Sequence, residues 1–488
     1  MRFEFAFGSP RSPHRRDEGA PCRILILSDL RGNAAEVQEG MLNRSLVRVD
    51  VDNIEDALAR HAPTVALGAQ AGGERLQLRT FEDFHPDALA ERLSVFRRLL
   101  DLRRRLGHPG TSAGAAAELR AEAAAGDVVP LEDAGPRPET DDERSTLERL
   151  LGQKTAAKPI AQEPPTASST IDSLIRRIVA PHIAPAVDPQ VPQLVSAVDV
   201  AMSDVMRRVL HDPGFQGLEA TWRAIQWLVS SLELGEELEL HLLHVTREEL
   251  SQGAGPGSDL YRRLVDREAR TQGGIELSAL IGNYRFGATR EDLTVLESMG
   301  ALAHAIGALF VAECGASLLG SSAVALQPDP RDWKPLDAEI DARWSALRAG
   351  PLAPYVGLAL PRFLLRLPYG GRSDPIEAFR FEEQPPRPEH ESFLWGNPAF
   401  ACAAVMARML QADSVPSDAG DITGLPAFVS TVDDEPRLQP CAEVCLTDRA
   451  VEAILARGIM PLVSFKDRDA ARLVRLQSIA DPPTALGD

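Results

Sequence analysis

The run His211-Asp212-Pro213-Gly214-Phe215-Gln216-Gly217-Leu218-Glu219-Ala220-Thr221-Trp222-Arg223 decides how this chain is read. It starts as a turn and continues as a helix on which Phe215, Leu218, Trp222 and Ile225 share one apolar stripe. It holds no nucleophile–base pair, no metal-ligand cluster and no glycine-rich phosphate cradle. Its chemistry is that of packing.

Outward from that run, strands and helices alternate. A helical pattern over Val195 to Leu210 leads into it, and Leu238, Leu240, Leu242 and Val245 follow as a strand. Leu260 to Val265 reads as helix, Leu277 to Ile281 as strand, Leu293 to Ile306 as helix and Ala308 to Ala312 as buried strand. Trp333 and Trp344 flank a further helix, Val356 to Leu360 is a strand stopped by Pro361, and Phe400 to Leu410 is a helix. Val444 to Leu446 predicts a strand, Asp448 to Leu455 a helix and Met460 to Phe465 a last strand. This alternation predicts an α/β fold with a sheet covered on both sides.

The N-terminal part repeats the theme. Phe3 to Phe7 alternates like a strand, and Cys22 to Ser28 is a short apolar run closed by Asp29 and Gly32, as in a buried strand. Val47, Val49 and Val51 alternate with charged residues, and Asp52 or Asn53 caps a helix that Pro63 ends. Leu76 and Leu78 continue the strand pattern, Phe81 to Pro86 make a turn, and Leu89 to Leu106 carry apolar residues at helical spacing. Between Gly107 and Pro192 the chain is Ala- and Pro-rich and acidic, a linker whose composition cannot offset its ordering entropy. Two short amphipathic pieces interrupt it, one with Leu147, Leu150 and Leu151 and one with Leu174, Ile175 and Ile178. Such pieces fold by docking on a partner or on their own body. The expected domains are therefore 1–106, a linker at 107–192, and 193–488.

Composition narrows the function. The 488 residues carry 71 acidic against 52 basic side chains, a net charge of −19, which disfavours phosphate backbones and hence nucleic acid. No run of apolar residues is long enough for a membrane span, and the N-terminus does not read as a signal peptide. Five scattered cysteines suggest reduced thiols in the cytoplasm, and Cys441 with Cys445 lacks the second pair or histidine that zinc needs. No cofactor, metal or catalytic residue is expected. Ser321 and Ser322 lack a nucleophile elbow and fit a turn after a strand, although a hydrolase using them is a distinct alternative. Gly282 to Gly287 lacks a phosphate-loop pattern, so Tyr284 and Phe286 read as aromatic anchors. Asp50 with Asp52, and Glu382 with Glu383, read as caps or solvated edges, and His182 and His211 as turn residues. In Leu394 to Phe400, Trp395 anchors a core or interface, and Asn397 caps a helix opened by Pro398.

Several of these segments together resemble the large sheath subunit of type VI secretion systems (TssC, or VipB). They are the Phe215 run, Ile281 to Phe286, Tyr355 to Leu364 with Leu367 to Gly370, Phe379 to Glu383, Leu394 to Phe400, Ala442 to Val444 and Gly458 to Leu462. Ile24 to Gly32, Val49 to Ile54 and Phe81 to Pro86 resemble the small subunit (TssB, or VipA), so the chain looks like a fusion of the two. The resemblance implies a structural role and no enzyme. It implies a cytoplasmic contractile sheath built by self-association or with other sheath subunits, surrounding an inner tube of Hcp rings. It further implies growth from baseplate proteins and recycling by a ClpV-type ATPase, for which the helix with Leu147, Leu150 and Leu151 resembles the recognition element. Phe215, Leu218, Trp222, Tyr284, Phe286, Trp395 and Asn397 are then packing or interface residues. The family's large subunit usually continues further than Asp488, which leaves open a second reading, a non-polymerising adaptor or cap of the same apparatus.

Overall fold

The computed structural model describes residues 21–33, 40–124, 191–270, 274–385, 387–411, 420–432, 435–466 and 468–486. The N-terminal elements are β1 (Cys22–Ser28), β2 (Val47–Val49), α1 (Ile54–His61), the antiparallel pair β3 (Thr64–Ala66) and β4 (Arg75–Gln77), α2 (Pro86–Arg92), α3 (Ser94–Gly107) and α4 (Ser112–Ala124). There follow α5 (Val191–Leu210), α6 (Pro213–Ser231), β5 (Leu238–His244), α7 (Arg247–Ser251) and α8 (Asp259–Tyr261), which runs on as a π-helix over Arg262–Ala269. Next are β6 (Ala279–Phe286), α9 (Arg290–Ile306), β7 (Leu309–Cys314), α10 (Ala338–Arg348) and β8 (Val356–Leu360). The last elements are β9 (Phe363–Leu364), β10 (Trp395–Gly396), α11 (Pro398–Gln411), β11 (Asp421–Thr423), β12 (Val429–Val432), β13 (Glu435–Leu438), α12 (Asp448–Ala456), β14 (Met460–Ser464) and β15 (Ala470–Leu473).

Nine strands form one mixed sheet in the order β11-β15-β14-β8-β7-β6-β1-β5-β2. From β14 to β5 all neighbours are parallel, and the margins β2, β15 and β11 are antiparallel. Parallel strands need both faces covered, and their sequences are accordingly rich in apolar residues. Leu25, Leu27, Leu243, Leu280, Phe310 and Leu358 point to one side, into a cluster shared with Leu296, Met299 and Leu302 of α9. The alternate residues Ile24, Ile26, Leu242, Ile281 and Val311 are equally buried on the other side. There α11 lies against β6, β7 and β8, and α6 against α11. Gly282 sits where a Cβ would come 2.7 Å from the Phe310 ring, so only glycine lets the two strands keep their aromatic neighbour.

The sequence division at 106/107 and 192/193 contrasts with the strand order: β1 and β2 come from one side of it, and the other seven strands from the other. By compactness the chain separates into one unit of residues up to 89 with those from 206 onward, and a second of residues 90–205. In the second unit, Val95, Phe96, Leu99, Leu102 and Leu106 make the buried stripe of α3. Arg98 and Arg105 of α3 reach Glu118 of α4 at 3.0 and 2.6 Å, and Arg103 reaches Asp199 of α5 at 2.5 Å.

Several expectations need correction. The helix expected over Leu89 to Leu106 is two, because buried, extended Leu93 turns the chain between α2 and α3. The Ala-rich start of the linker is helical (α4), since alanine has the strongest intrinsic helix preference, and Ala115, Ala116 and Leu119 are buried. Val444 to Leu446 is irregular rather than a strand: it follows a bend at Glu443, which adopts φ +53° and whose carboxylate is held by Arg362 and His390. β2 stops at Val49, because the Asp50 carboxylate accepts from the amides of Asp52 and Asn53 and bends the chain, leaving Val51 exposed. Trp344 lies inside α10 rather than beside it. The Phe3 to Phe7 strand falls outside the described residues.

Candidate functional site

The chain's chemistry concentrates where α6 meets the N-terminal strands. Asp212 opens α6: its carboxylate accepts from the amides of Gly214 (3.0 Å) and Phe215 (3.3 Å) and, across the fold, from that of Gly68 (3.2 Å). Pro213 at the first helical position removes a donor that would have no partner there. Phe215 packs on Phe84 with ring centroids 5.8 Å apart. Leu218 lies under Gly32, whose φ of +78° and closeness to the Thr64 carbonyl (2.7 Å from an added Cβ) exclude any side chain. Trp222, fully buried, donates from Nε1 to the Leu30 carbonyl at 3.2 Å and tilts against His61 at 5.6 Å.

Neutral hydrogen bonds tie several polar groups at this joint, while His244 Nε2 is buried without a hydrogen-bond partner. Asn283 Nδ2 donates both to Ser28 Oγ (3.0 Å) and to Thr221 Oγ1 (2.9 Å), tying β6, β1 and α6 at one point. The Leu30 amide donates to His244 Nδ1 at 3.1 Å. Burial holds the His244 pKa down at about 4, which keeps the imidazole neutral and able to accept. Tyr284 donates its hydroxyl to the Val245 carbonyl at 2.8 Å, and burial pushes its phenol well above the ordinary range, so it stays a donor. Phe286 meets Phe310 edge-on at 6.1 Å, with the Arg247 guanidinium 4.5 Å above its ring.

A second site is ionic. Arg366 lies between Glu219 of α6 (2.8 Å) and Glu383 (2.7 Å), and both carboxylates are essentially inaccessible. Arg223 joins Glu219 at 2.7 Å and Tyr369 Oη at 3.1 Å, while His211 reaches Glu383 at 3.3 Å. Burial alone would raise the Glu383 pKa, but Arg366, His211 and the Tyr369 amide outweigh it and bring it to about 2. Burial likewise opposes the Arg366 charge, and the two carboxylates overcome it. A smaller version surrounds Arg362, which binds Glu443 at 2.6 Å and Glu391 at 3.0 Å. Glu383 therefore corrects the expectation of a solvated edge, and His211 that of a plain turn residue. Glu382 is exposed, its carboxylate accepting from the Gly371 amide at 3.1 Å. Sequence patterning missed this cluster because Glu219 and Arg223 sit among the apolar residues of α6, and nothing local announces Arg366 or Glu383 as their partners.

The structure gathers five of the named packing residues. Phe215, Leu218 and Trp222 line the α6 joint, and Tyr284 and Phe286 end β6 beside it; all five are buried within their own chain. Trp395, also buried, donates to the His390 carbonyl at 2.7 Å and stacks on the His390 ring. Asn397 accepts from the Ala399 amide at 2.9 Å at the start of α11 and donates toward the Tyr284 carbonyl at 3.4 Å. Leu147, Leu150 and Leu151 lie outside the described residues. A cleft of about 730 Å³ lies beside His211 and Glu383, which pair with each other, and Asp212, which caps α6; Arg207 and Arg208 also line it. Ser321 is buried and donates to Gln327 Oε1 at 2.9 Å rather than to a base. Cys22, Cys314, Cys402 and Cys441 are buried thiols, and Cys445 is exposed. Among the described residues, no cluster of three or more His, Cys, Asp or Glu could hold a metal, and no helix is long and apolar enough to cross a membrane.

Comparison with known proteins adds the following. The VipB family model, described as the EvpB/VC_A0108 tail sheath N-terminal domain, matches residues 192–480. The type VI secretion system VipA model matches residues 11–123. Similarity extends to the type VI secretion system sheath protein TssC1 of Pseudomonas aeruginosa, 29% identical over 304 residues, covering 59% of this chain and 61% of that protein. It extends also to the sheath protein TssB1 of the same organism, 33% identical over 95 residues, covering 18% of this chain and 55% of that protein. The chain thus spans somewhat over half the length of each of these two relatives.

Proposed function

We propose, on the premise that the chain belongs to the VipB family of type VI secretion tail sheath proteins, that it is a structural subunit of a contractile sheath. In this reading residues 1–106 act as the small sheath subunit, residues 193–488 as the large one, and residues 107–192 connect them. Copies assemble in the cytoplasm around an Hcp inner tube on a baseplate, and contraction drives effector delivery. The work comes from a change between two packings of many identical contacts, and no bond of a substrate is made or broken. The segment around Leu147, Leu150 and Leu151 offers a ClpV-type ATPase a helix to grip during recycling.

One observation carries this reading: segments matching a VipA model and a VipB model contribute strands to the same sheet. The residues conspicuous in the sequence are engaged in holding that sheet and its helices rigid, as a force-transmitting subunit requires. The test is negative-stain electron microscopy of the full chain, produced in a host without secretion genes, with and without Hcp. Tubular or ring-like polymers are expected. Particles that remain single at every concentration, with and without Hcp, would remove the proposal.

A further inference from the structure

The strand β1 occupies the middle of the sheet rather than an edge. All seven of its residues pair with β5, from Cys22 against Leu238 to Ser28 against His244, and four pair with β6 on the other side. Its residues Ile24 to Leu27 are wholly inaccessible. The slot is sealed from outside the strand as well: Trp222 and Asn283 bind the chain at Leu30 and Ser28, and Arg44 bridges to Glu249 and to the His244 carbonyl. The next turn is fixed farther off, where Asp87 accepts from the amides of Glu377 and Ala378. Another strand could pair with β5 or β6 only after β1 had left.

We infer that the N-terminal segment is a built-in, non-exchanging replacement for a separate small sheath subunit: each chain fills its own slot and takes no second polypeptide there. The occupied slot stands on the strand pairing alone, while the name of the excluded partner rests on the sheath reading. Covalent continuity makes the pairing intramolecular, with an effective concentration on the order of millimolar, which a free competitor at cellular levels does not match. Both edges of β1 are used, so nothing of it remains to recruit a neighbour.

The test uses the full chain with Arg23→Cys and Glu239→Cys, directly paired positions that are partly accessible, in a Cys445→Ser background. Mild oxidation, or a short bis-maleimide, should give one product of single-chain mass, at the same yield across a hundredfold dilution. Covalent dimers or ladders would overturn the inference. Wild-type chain supplies an independent readout: hydrogen exchange of amides 24–28 should be unchanged over the same dilution, and protection lost on dilution would overturn it. Polymers should form from the crosslinked chain alone, and polymers that appear only after a separate small sheath protein such as TssB1 is added would also overturn it. An internal crosslink in a chain that never polymerises upholds the built-in strand and removes the sheath reading instead.

Discussion

The joint between α6 and β1 and the cluster around Arg366 are equally buried, yet they are held by opposite means. The first uses apolar side chains with a few neutral hydrogen bonds (Trp222 to Leu30, Asn283 to Ser28). The second seats two carboxylates and two guanidiniums side by side. The first gains from removing apolar surface from water and tolerates small rearrangements. The second approaches balance between desolvation and attraction, and is unforgiving only when one partner is missing. The difference lies in geometry: apolar contact fixes that two elements meet, and paired charges fix where the Arg366 to Glu383 stretch sits on α6.

Unequal responses to substitution should follow. Arg366→Ala leaves buried Glu219 with Arg223 alone and buried Glu383 with only His211 and the Tyr369 amide, and should cost about 3–5 kcal/mol in urea unfolding. Replacing Arg366, Arg223, Glu219 and Glu383 together with apolar residues of similar volume, which leaves no guanidinium of the cluster unpaired, should recover most of that loss. A quadruple variant no more stable than the single one would mean that the two sites do not differ in this way. Trp222→Ala should cost a similar about 3–5 kcal/mol, with no comparable rescue available, because the cavity remains.

The ionic site should also register acid. Glu383 has a folded pKa of about 2, below its ordinary value, so its contribution is complete above pH 4.5 and lost as the pH falls from about 4.5 toward 2. That contribution is roughly 3 kcal/mol at most, and Glu383→Gln should flatten the decline in a thermal-unfolding series over that window. At the β6 crossing, Gly282→Ala should cost about 1–3 kcal/mol through the clash with Phe310. Asp212→Ala removes the α6 cap and should cost about 1 kcal/mol. Arg104→Ala, which breaks an exposed pair with Asp101, should change stability by less than about 0.5 kcal/mol. A loss there as large as at Arg366 would mean that burial is not what separates strong from weak charges in this molecule.

The same contrast sets what was legible in the sequence. The strand at Cys22–Ser28, the helix carrying Phe215 and Trp222, and the parallel series β5 to β8 were readable, because burial on one face imposes a period and burial on both gives a short apolar run. The Arg366 cluster was not, since Glu219 and Glu383 are far apart in sequence and a glutamate looks the same whether solvated or enclosed. Nor did the strand order appear: nothing in Ile24 to Leu27 says that its neighbours come from Leu238 onward. Val444 to Leu446 failed for a related reason, because an apolar triplet near a charged anchor, Glu443, takes its shape from Arg362 and not from its own preferences.

The central place of β1 has a consequence during synthesis. Arg23 and its partner Glu239 are 216 residues apart. A ribosome adding roughly 5–20 residues per second exposes the apolar run Ile24 to Leu27 for about 10–40 s before β5 emerges. Nascent chains halted before Leu238 should therefore call on holding chaperones and precipitate without them, whereas those released after Phe286 can close the centre of the sheet. The vulnerable period of this protein belongs to its birth.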